Sequence, residues 1–127
     1  MTFAKRVFTL AGALGLLAVF PLFFLEGTLA RVRPPAFSHP ELFYGFVGIV
    51  SAWQVAFLVI GRDPARFRPL MIPSILEKAG FGLPAVALFA AGRVPAPVLA
   101  LGLFDLTLGA LFAIAFARTS APKLPQG

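Results

Sequence analysis

The sequence predicts an all-α integral membrane protein, a bundle of four transmembrane helices with short loops and with both termini cytoplasmic. Three observations lead to this fold class. The chain is 59% hydrophobic and only 13% charged, whereas soluble domains are nearer half apolar and a quarter charged. Its apolar residues form four long segments, each close to the ~20 residues that cross a bilayer. Its charged residues lie mostly between these segments, so residues 1–127 are predicted to form one transmembrane domain.

The four predicted helices follow the apolar segments, at about 7–25, 42–60, 70–91 and 98–117. The first segment follows Lys5 and Arg6, as a signal peptide would, but its apolar run exceeds the 7–15 residues of a typical signal core. Pro97 precedes the fourth segment, at the position where a helix tolerates proline best. Residues 118–127 contain further prolines and are predicted to form a short flexible tail.

The first connection, residues 26–41, is predicted to be extended and stiff because it contains Pro34, Pro35 and Pro40. Glu26, His39 and Glu41 carry potential metal ligands in this connection. Arg31 and Arg33 are close in sequence, so these side chains are predicted to form ordinary interfacial ion pairs.

Basic residues outside the apolar segments predict the orientation, because lysine and arginine are enriched in cytoplasmic loops. One side carries more of them, namely Lys5, Arg6, Arg62, Arg66, Arg68, Arg118 and Lys123. The other side has Arg31, Arg33 and Arg93. Both termini are therefore predicted to be cytoplasmic. The excess of arginine over lysine and the lack of asparagine are typical of a GC-rich bacterial genome, so the predicted location is the inner membrane of a bacterium.

Glycines recur at helical spacing in the predicted helices. Lipid gives helices no hydrophobic reason to associate, so close packing over small residues takes that role. The residues predicted to pack helices together are Gly12, Gly15, Gly45, Gly48, Gly102 and Gly109.

Asp105 is the clearest polar residue within a predicted span. It lies about eight residues into the fourth helix, ~12 Å deep, and between Gly102 and Gly109, so it should face the bundle. A carboxylate at that depth has to be paired, protonated or hydrated. The two interpretations that remain open are a proton or ligand site and a structural hydrogen bond or ion pair.

Four further residues are candidates for the same polar region: Trp53, Gln54, Glu77 and Lys78. If the third helix begins near Leu70, Gln54 and the Glu77–Lys78 pair lie at similar depth, and Lys78 can extend toward Asp105. Successive helical residues diverge by 100°, so Glu77 and Lys78 should not both point at one partner.

The alternative for residues 70–82 is a shorter helix. Ser74 followed by Glu77 matches a capping box, in which Ser74 would be the N-cap and Glu77 the third helical residue. Pro73 would then precede the helix and remove no backbone hydrogen bond. In this model Glu77 is a cap and not a buried functional acid.

The composition excludes several classes of function. Without cysteine there is no disulfide, thiolate metal site or cysteine nucleophile, and no phosphate-binding or metalloprotease motif is present. The net charge of +6 is explained by topology and does not indicate nucleic-acid binding. No catalytic residue, metal site or cofactor is therefore assigned.

The sequence favours a non-catalytic structural, accessory or partner-binding bundle. Its predicted partners are membrane lipids and either another membrane protein or further copies of the chain. The alternative is binding or transport of a lipid or small apolar ligand at a site around Trp53, Gln54, Glu77, Lys78 and Asp105. A membrane isomerase that uses Glu77 as its acid/base is the less favoured variant.

Overall fold

A computed structural model of the chain describes residues 2–32 and 39–120, and in these residues it is all helical, with no strand. The five α-helices are α1 Thr2–Val19, α2 Glu26–Val32, α3 Pro40–Arg62, α4 Met71–Ala90 and α5 Ala96–Arg118. A 3₁₀ turn continues α1 to Phe24, and another begins at Arg68 and leads into α4. Only α2 is short. The all-α prediction is confirmed.

Four helical segments are long and apolar enough to cross a membrane: Thr2–Phe24, Pro40–Arg62, Arg68–Ala90 and Ala96–Arg118. Each contains 23 residues, which corresponds to ~34 Å of helix. Several begin before the positions predicted from the sequence, because charged residues at a helix end lower the hydropathy without interrupting the helix. Lys5 and Arg6, for example, lie inside α1.

The first connection differs from the prediction of an extended segment. Residues Glu26–Val32 form α2, because the prolines that disfavour helix come only after this stretch and act on their immediate neighbours. Residues 33–38, with Arg33, Pro34 and Pro35, lie outside the described part of the chain. The predicted tail is described only through Ser120, since α5 ends at Arg118 and residues 121–127 also lie outside it.

The helices associate as two pairs, α1 with α3 and α4 with α5. The pairs join at the end where α1 and α4 begin and α3 and α5 finish. Three phenylalanine rings form the centre of this junction: Phe8 stacks on Phe112 at a centroid distance of 4.2 Å, and Phe57 meets Phe112 edge-on at 4.9 Å. The complete buried cluster is Ala4, Phe8, Ala11, Phe57, Ile60, Met71, Phe112 and Ala115. We call this the basic end, because it carries Lys5, Arg6, Arg62, Arg66, Arg68 and Arg118.

Small residues allow α1 and α3 to approach closely. A Cβ at Gly12 would lie 2.7 Å from the backbone oxygen of Gln54, and a Cβ at Gly15 would collide with the Gln54 side chain. Gly48 contacts Phe23 less tightly, at 3.7 Å from an ideal Cβ. The approach at Gly12 is to a backbone oxygen and requires glycine, whereas a side chain at position 15 would require Gln54 to change its rotamer.

The contact between α4 and α5 uses the same device. A Cβ at Gly102 would lie 2.6 Å from the Cβ of Ala85, and one at Gly82 would lie 2.9 Å from the backbone oxygen of Gly102. A Cβ at Gly109 would lie 3.3 Å from the Cβ of Lys78. In contrast, Gly45 of α3 is exposed and has nothing within 4 Å of its ideal Cβ. Among the described residues, it therefore packs against no other helix.

Candidate functional site

The start of α4 determines whether Glu77 is a helix cap or an interior residue. The helix begins at Met71, preceded by the 3₁₀ turn, and Leu70 is its N-cap without a side-chain hydrogen bond. The hydroxyl of Ser74 donates to the backbone oxygen of Leu70 at 2.7 Å, as a residue inside a helix would. The capping-box alternative is therefore wrong. Pro73 lies in the first turn, where the backbone N–H groups have no intrahelical partner in any case.

Three charged side chains meet between α4 and α5, and we call Glu77, Lys78 and Asp105 the charge cluster. Lys78 Nζ lies 3.5 Å from Glu77 Oε2 and 3.6 Å from Asp105 Oδ1. The side chains are 5% exposed for Lys78, 13% for Glu77 and 20% for Asp105. An ammonium buried to this degree requires counter-charges, and it has one on its own helix and one on the neighbouring helix.

The ammonium of Lys78 also contacts a third helix. It lies 5.1 Å from the centroid of the Phe57 ring on α3, within the range of a cation–π interaction. Lys78 therefore links both helix pairs. Sequence spacing had suggested that Glu77 and Lys78 could not share a partner, but Lys78 is itself the shared group, because its long stem brings the ammonium between two carboxylates from different helices.

The charge cluster is incompletely balanced. It contains two carboxylates and one ammonium, so it carries an excess negative charge when all three are ionised. Glu77 Oε2 is buried, and its contact among the described residues is the ion pair with Lys78 Nζ at 3.5 Å, which is longer than a well-formed charged hydrogen bond. Lys78 neighbours Ala79, the midpoint of the 23-residue segment Arg68–Ala90, so the cluster lies near mid-span. An additional proton, a cation or a hydrogen-bond donor would complete it.

Trp53 and Gln54 follow each other in sequence but lie in different surroundings. The half-buried ring of Trp53 lies 6.3 Å from that of Phe57, which places it beside the ring that contacts Lys78. Gln54 is buried, its Nε2 donates to the backbone oxygen of Val50 at 3.1 Å, and its side chain faces Gly15. The structure thus brings Glu77, Lys78 and Asp105 together and places Gln54 in the α1–α3 contact.

The opposite end of the bundle has separate polar pairs. The hydroxyl of Tyr44 donates to Glu26 Oε2 at 2.5 Å, and His39 Nδ1 lies 3.5 Å from Glu41 Oε1, both pairs being exposed. Within residues 2–32 and 39–120, no three histidine, cysteine or acidic residues are grouped so that they could hold a metal ion.

Two features of the site region were missed from the sequence. Phe57 contacts Lys78 and Trp53, yet it is one of 15 phenylalanines. Phe57 lies four residues after Trp53, so both are on one helix face. This spacing could have placed Phe57 beside Trp53. From the sequence, Arg68 is one of the basic residues that predict the topology, and the contacts of its side chain are not predicted. Its Nε donates to the backbone oxygen of Phe116 at 3.2 Å, and its guanidinium carbon lies 3.7 Å from the Phe116 ring centroid.

No family model, no curated protein and no solved structure matches this chain. Its own geometry and charge distribution are therefore the basis for a function.

Proposed function

We propose that this chain is a small integral membrane protein that acts as a non-catalytic bundle and associates with lipid and with other copies of itself or another membrane protein. The observation that carries the proposal is the outer surface of the four long helices. In each long helix, between 17% and 28% of an 18-residue apolar stretch is buried inside the chain. The remaining apolar surface requires a cover, and the hydrocarbon of a bilayer provides it.

The proposed orientation has both termini in the cytoplasm, in the inner membrane of a bacterium. The basic end carries Arg62, Arg66, Arg68 and Arg118, together with the start of α1. Cytoplasmic loops are enriched in such residues, which supports this orientation.

Two exposed glycines support association with another helix. Gly45 on α3 and Gly80 on α4 have nothing within 4 Å of their ideal Cβ positions. Small residues on a membrane-facing surface let a second helix approach closely. No described residue packs against these two positions, so we assign them to contacts between molecules.

Mass measurement in mild detergent tests this association. We expect light scattering, corrected for detergent, to give a protein mass of at least twice the 13.5 kDa chain. Gly45→Leu or Gly80→Leu should shift the protein toward the monomer, whereas Leu101→Ala, a change at another exposed position, should not. A stable monomer at all concentrations, with both glycine variants unchanged, would contradict the association.

A second candidate function is binding or transport of a small apolar ligand at the charge cluster. It is favoured by the charge imbalance of the cluster, in which the two carboxylates of Glu77 and Asp105 share the one ammonium of Lys78. A ligand with an apolar body and a cationic or hydrogen-bond-donating group matches this environment. If Glu77→Gln and Asp105→Asn both leave ligand binding and transport unchanged, the candidate is eliminated. The isomerase variant additionally requires turnover of an apolar substrate that Glu77→Gln abolishes.

A further inference from the structure

The basic end has far more positive than negative charge. Its cations are Lys5, Arg6, Arg62, Arg66, Arg68 and Arg118. Asp63 is the one carboxylate in the same region, and its Oδ1 accepts the backbone N–H of Arg66 at 3.3 Å. Among the described residues, none of these cations forms a salt bridge, since the ion pairs involve His39 and Lys78. The positive charge of this end is therefore available to an external anion.

Three of the guanidinium groups are positioned by aromatic rings. The guanidinium carbon lies 5.3 Å from the ring centroid of Phe67 for Arg66 and 4.9 Å from that of Phe3 for Arg118. Arg68 is held closest, over the ring of Phe116. Stacking on a ring restricts the side chain and leaves the edge of the guanidinium free to donate hydrogen bonds.

Arg68 is the most restricted of the three. Its Nε–H is used by the backbone oxygen of Phe116, near the C-terminus of α5. A guanidinium has five N–H donors, so its two terminal nitrogens remain available. The half-buried side chain of Arg68 therefore presents a fixed pair of donor groups at the end of the bundle.

The level of these arginines along the bundle points to a lipid headgroup. Arg68 begins one membrane-length segment and Arg118 ends another. If the helices cross the bilayer as proposed above, both lie at the cytoplasmic headgroup layer. Guanidinium groups match phosphate oxygens in charge and in geometry, and clustered basic residues at this level attract anionic lipids.

We propose that Arg68, together with Arg66 and Arg118, forms a binding site for the phosphodiester headgroup of an anionic phospholipid in the cytoplasmic leaflet. Arg68 is the anchor and the other two guanidiniums add electrostatic attraction. The opposite end is the internal contrast, since the sequence places Glu26 and Glu41 there with Arg31, Arg33 and Arg93, so its charges nearly balance. This inference rests on the proposed membrane insertion.

Native mass spectrometry of the full chain in detergent, with phosphatidylglycerol or phosphatidylcholine added, tests the site. We expect tighter binding of phosphatidylglycerol, and a basic residue near an anionic surface strengthens binding roughly fivefold. Arg68→Gln should weaken phosphatidylglycerol binding by at least that factor, and Arg66→Gln with Arg118→Gln should weaken it further. Arg93→Gln is the matched control at the other end and should bind as the wild type does.

Three results would overturn a lipid-headgroup site at the basic end. Two of them are equal binding of the two lipids and equal losses for Arg68→Gln and Arg93→Gln. The third is displacement of phosphatidylglycerol by millimolar inorganic phosphate, because the site would then bind a free phosphate anion without needing the lipid. Neither Arg66 nor Arg118 is a partner in the Arg68–Phe116 hydrogen bond, so the double variant tests the added charge without removing that contact.

Membrane insertion is measured separately, as resistance of the reconstituted protein to alkaline extraction from vesicles. Extraction of the wild type would contradict the proposed function itself. Retention in the vesicles without preference for phosphatidylglycerol would contradict the lipid site alone.

Discussion

The two helix pairs of this molecule solve the same packing problem with different buried polar groups. In both, glycine lets two backbones approach: Gly12 meets Gln54 in the α1–α3 pair, and Gly102 meets Ala85 in the α4–α5 pair. The first pair buries a neutral amide, and the second buries an ammonium between two half-buried carboxylates. The difference lies in where each polar group finds its partner.

The amide of Gln54 is satisfied within its own helix by the backbone oxygen of Val50. It makes no demand on α1 beyond the space that Gly15 provides. The ammonium of Lys78 instead depends on Asp105 of the neighbouring helix. A buried charge therefore couples α4 to α5 in a way that the amide does not couple α1 to α3, and it leaves one carboxylate of the cluster in excess.

Removal of the Lys78 ammonium should have the largest effect on this comparison. Lys78→Met leaves Glu77 and Asp105 without a counter-charge, and loss of one member of a buried ion pair costs about 3–5 kcal/mol. We expect that loss in the free energy of unfolding in detergent, measured by denaturant titration followed by circular dichroism. Lys5→Met, an exposed change of the same kind, should stay within about 0.5 kcal/mol.

A triple variant sharpens the result. Lys78→Met combined with Glu77→Gln and Asp105→Asn removes every charge from the cluster and should recover a large part of the lost stability. If Lys78→Met is as mild as Lys5→Met, the cluster does not couple α4 to α5.

Steric separation of α4 from α5 should have the next largest effect. At Gly82 an added Cβ would meet Leu106 Cγ at 2.5 Å and the Gly102 oxygen at 2.9 Å. Gly82→Leu should therefore lower the free energy of unfolding by about 2–3 kcal/mol through overpacking. Ala87→Leu, at an exposed position of the same helix, is the matched control. Equal losses at both positions would mean that the α4–α5 contact differs from the one described.

Loss of the neutral amide should have the smallest effect. Gln54→Leu removes one local hydrogen bond, and a net contribution of about 1 kcal/mol is expected. Thr107→Val provides a comparison, because the exposed Thr107 hydroxyl donates to the Leu103 oxygen at 2.8 Å in the same local pattern. Its effect should be about 0.5 kcal/mol or less. A loss for Gln54→Leu as large as that for Lys78→Met would remove the distinction between the two pairs.

The sequence predicted the parts of this structure that depend on long runs of residues. Four apolar segments and their order follow directly from hydropathy, and so does the all-α class. The position of Asp105 between Gly102 and Gly109 also predicted that it faces the bundle, and the structure pairs it with Lys78.

The parts that sequence reasoning missed depend on contacts between distant residues. Helix α2 was not predicted because the prolines that follow it disfavour helix only near their own positions, and residues 26–32 lie before them. Gly45 has the same local spacing as packed glycines, and only the position of the other helices leaves it open. The roles of Phe57 and Arg68 depend on partners in other helices, Lys78 and Phe116, and short-range patterns do not encode such pairs.

The central claim is that the chain crosses a membrane four times with the basic end in the cytoplasm, and single-cysteine labelling tests it most directly. The natural sequence has no cysteine, so a membrane-impermeant maleimide reports only on an introduced one. We predict that Arg93→Cys is labelled in intact cells, and that Arg66→Cys and Ser120→Cys are labelled only after the membrane is opened. Labelling of Arg66→Cys or Ser120→Cys in intact cells would contradict this account.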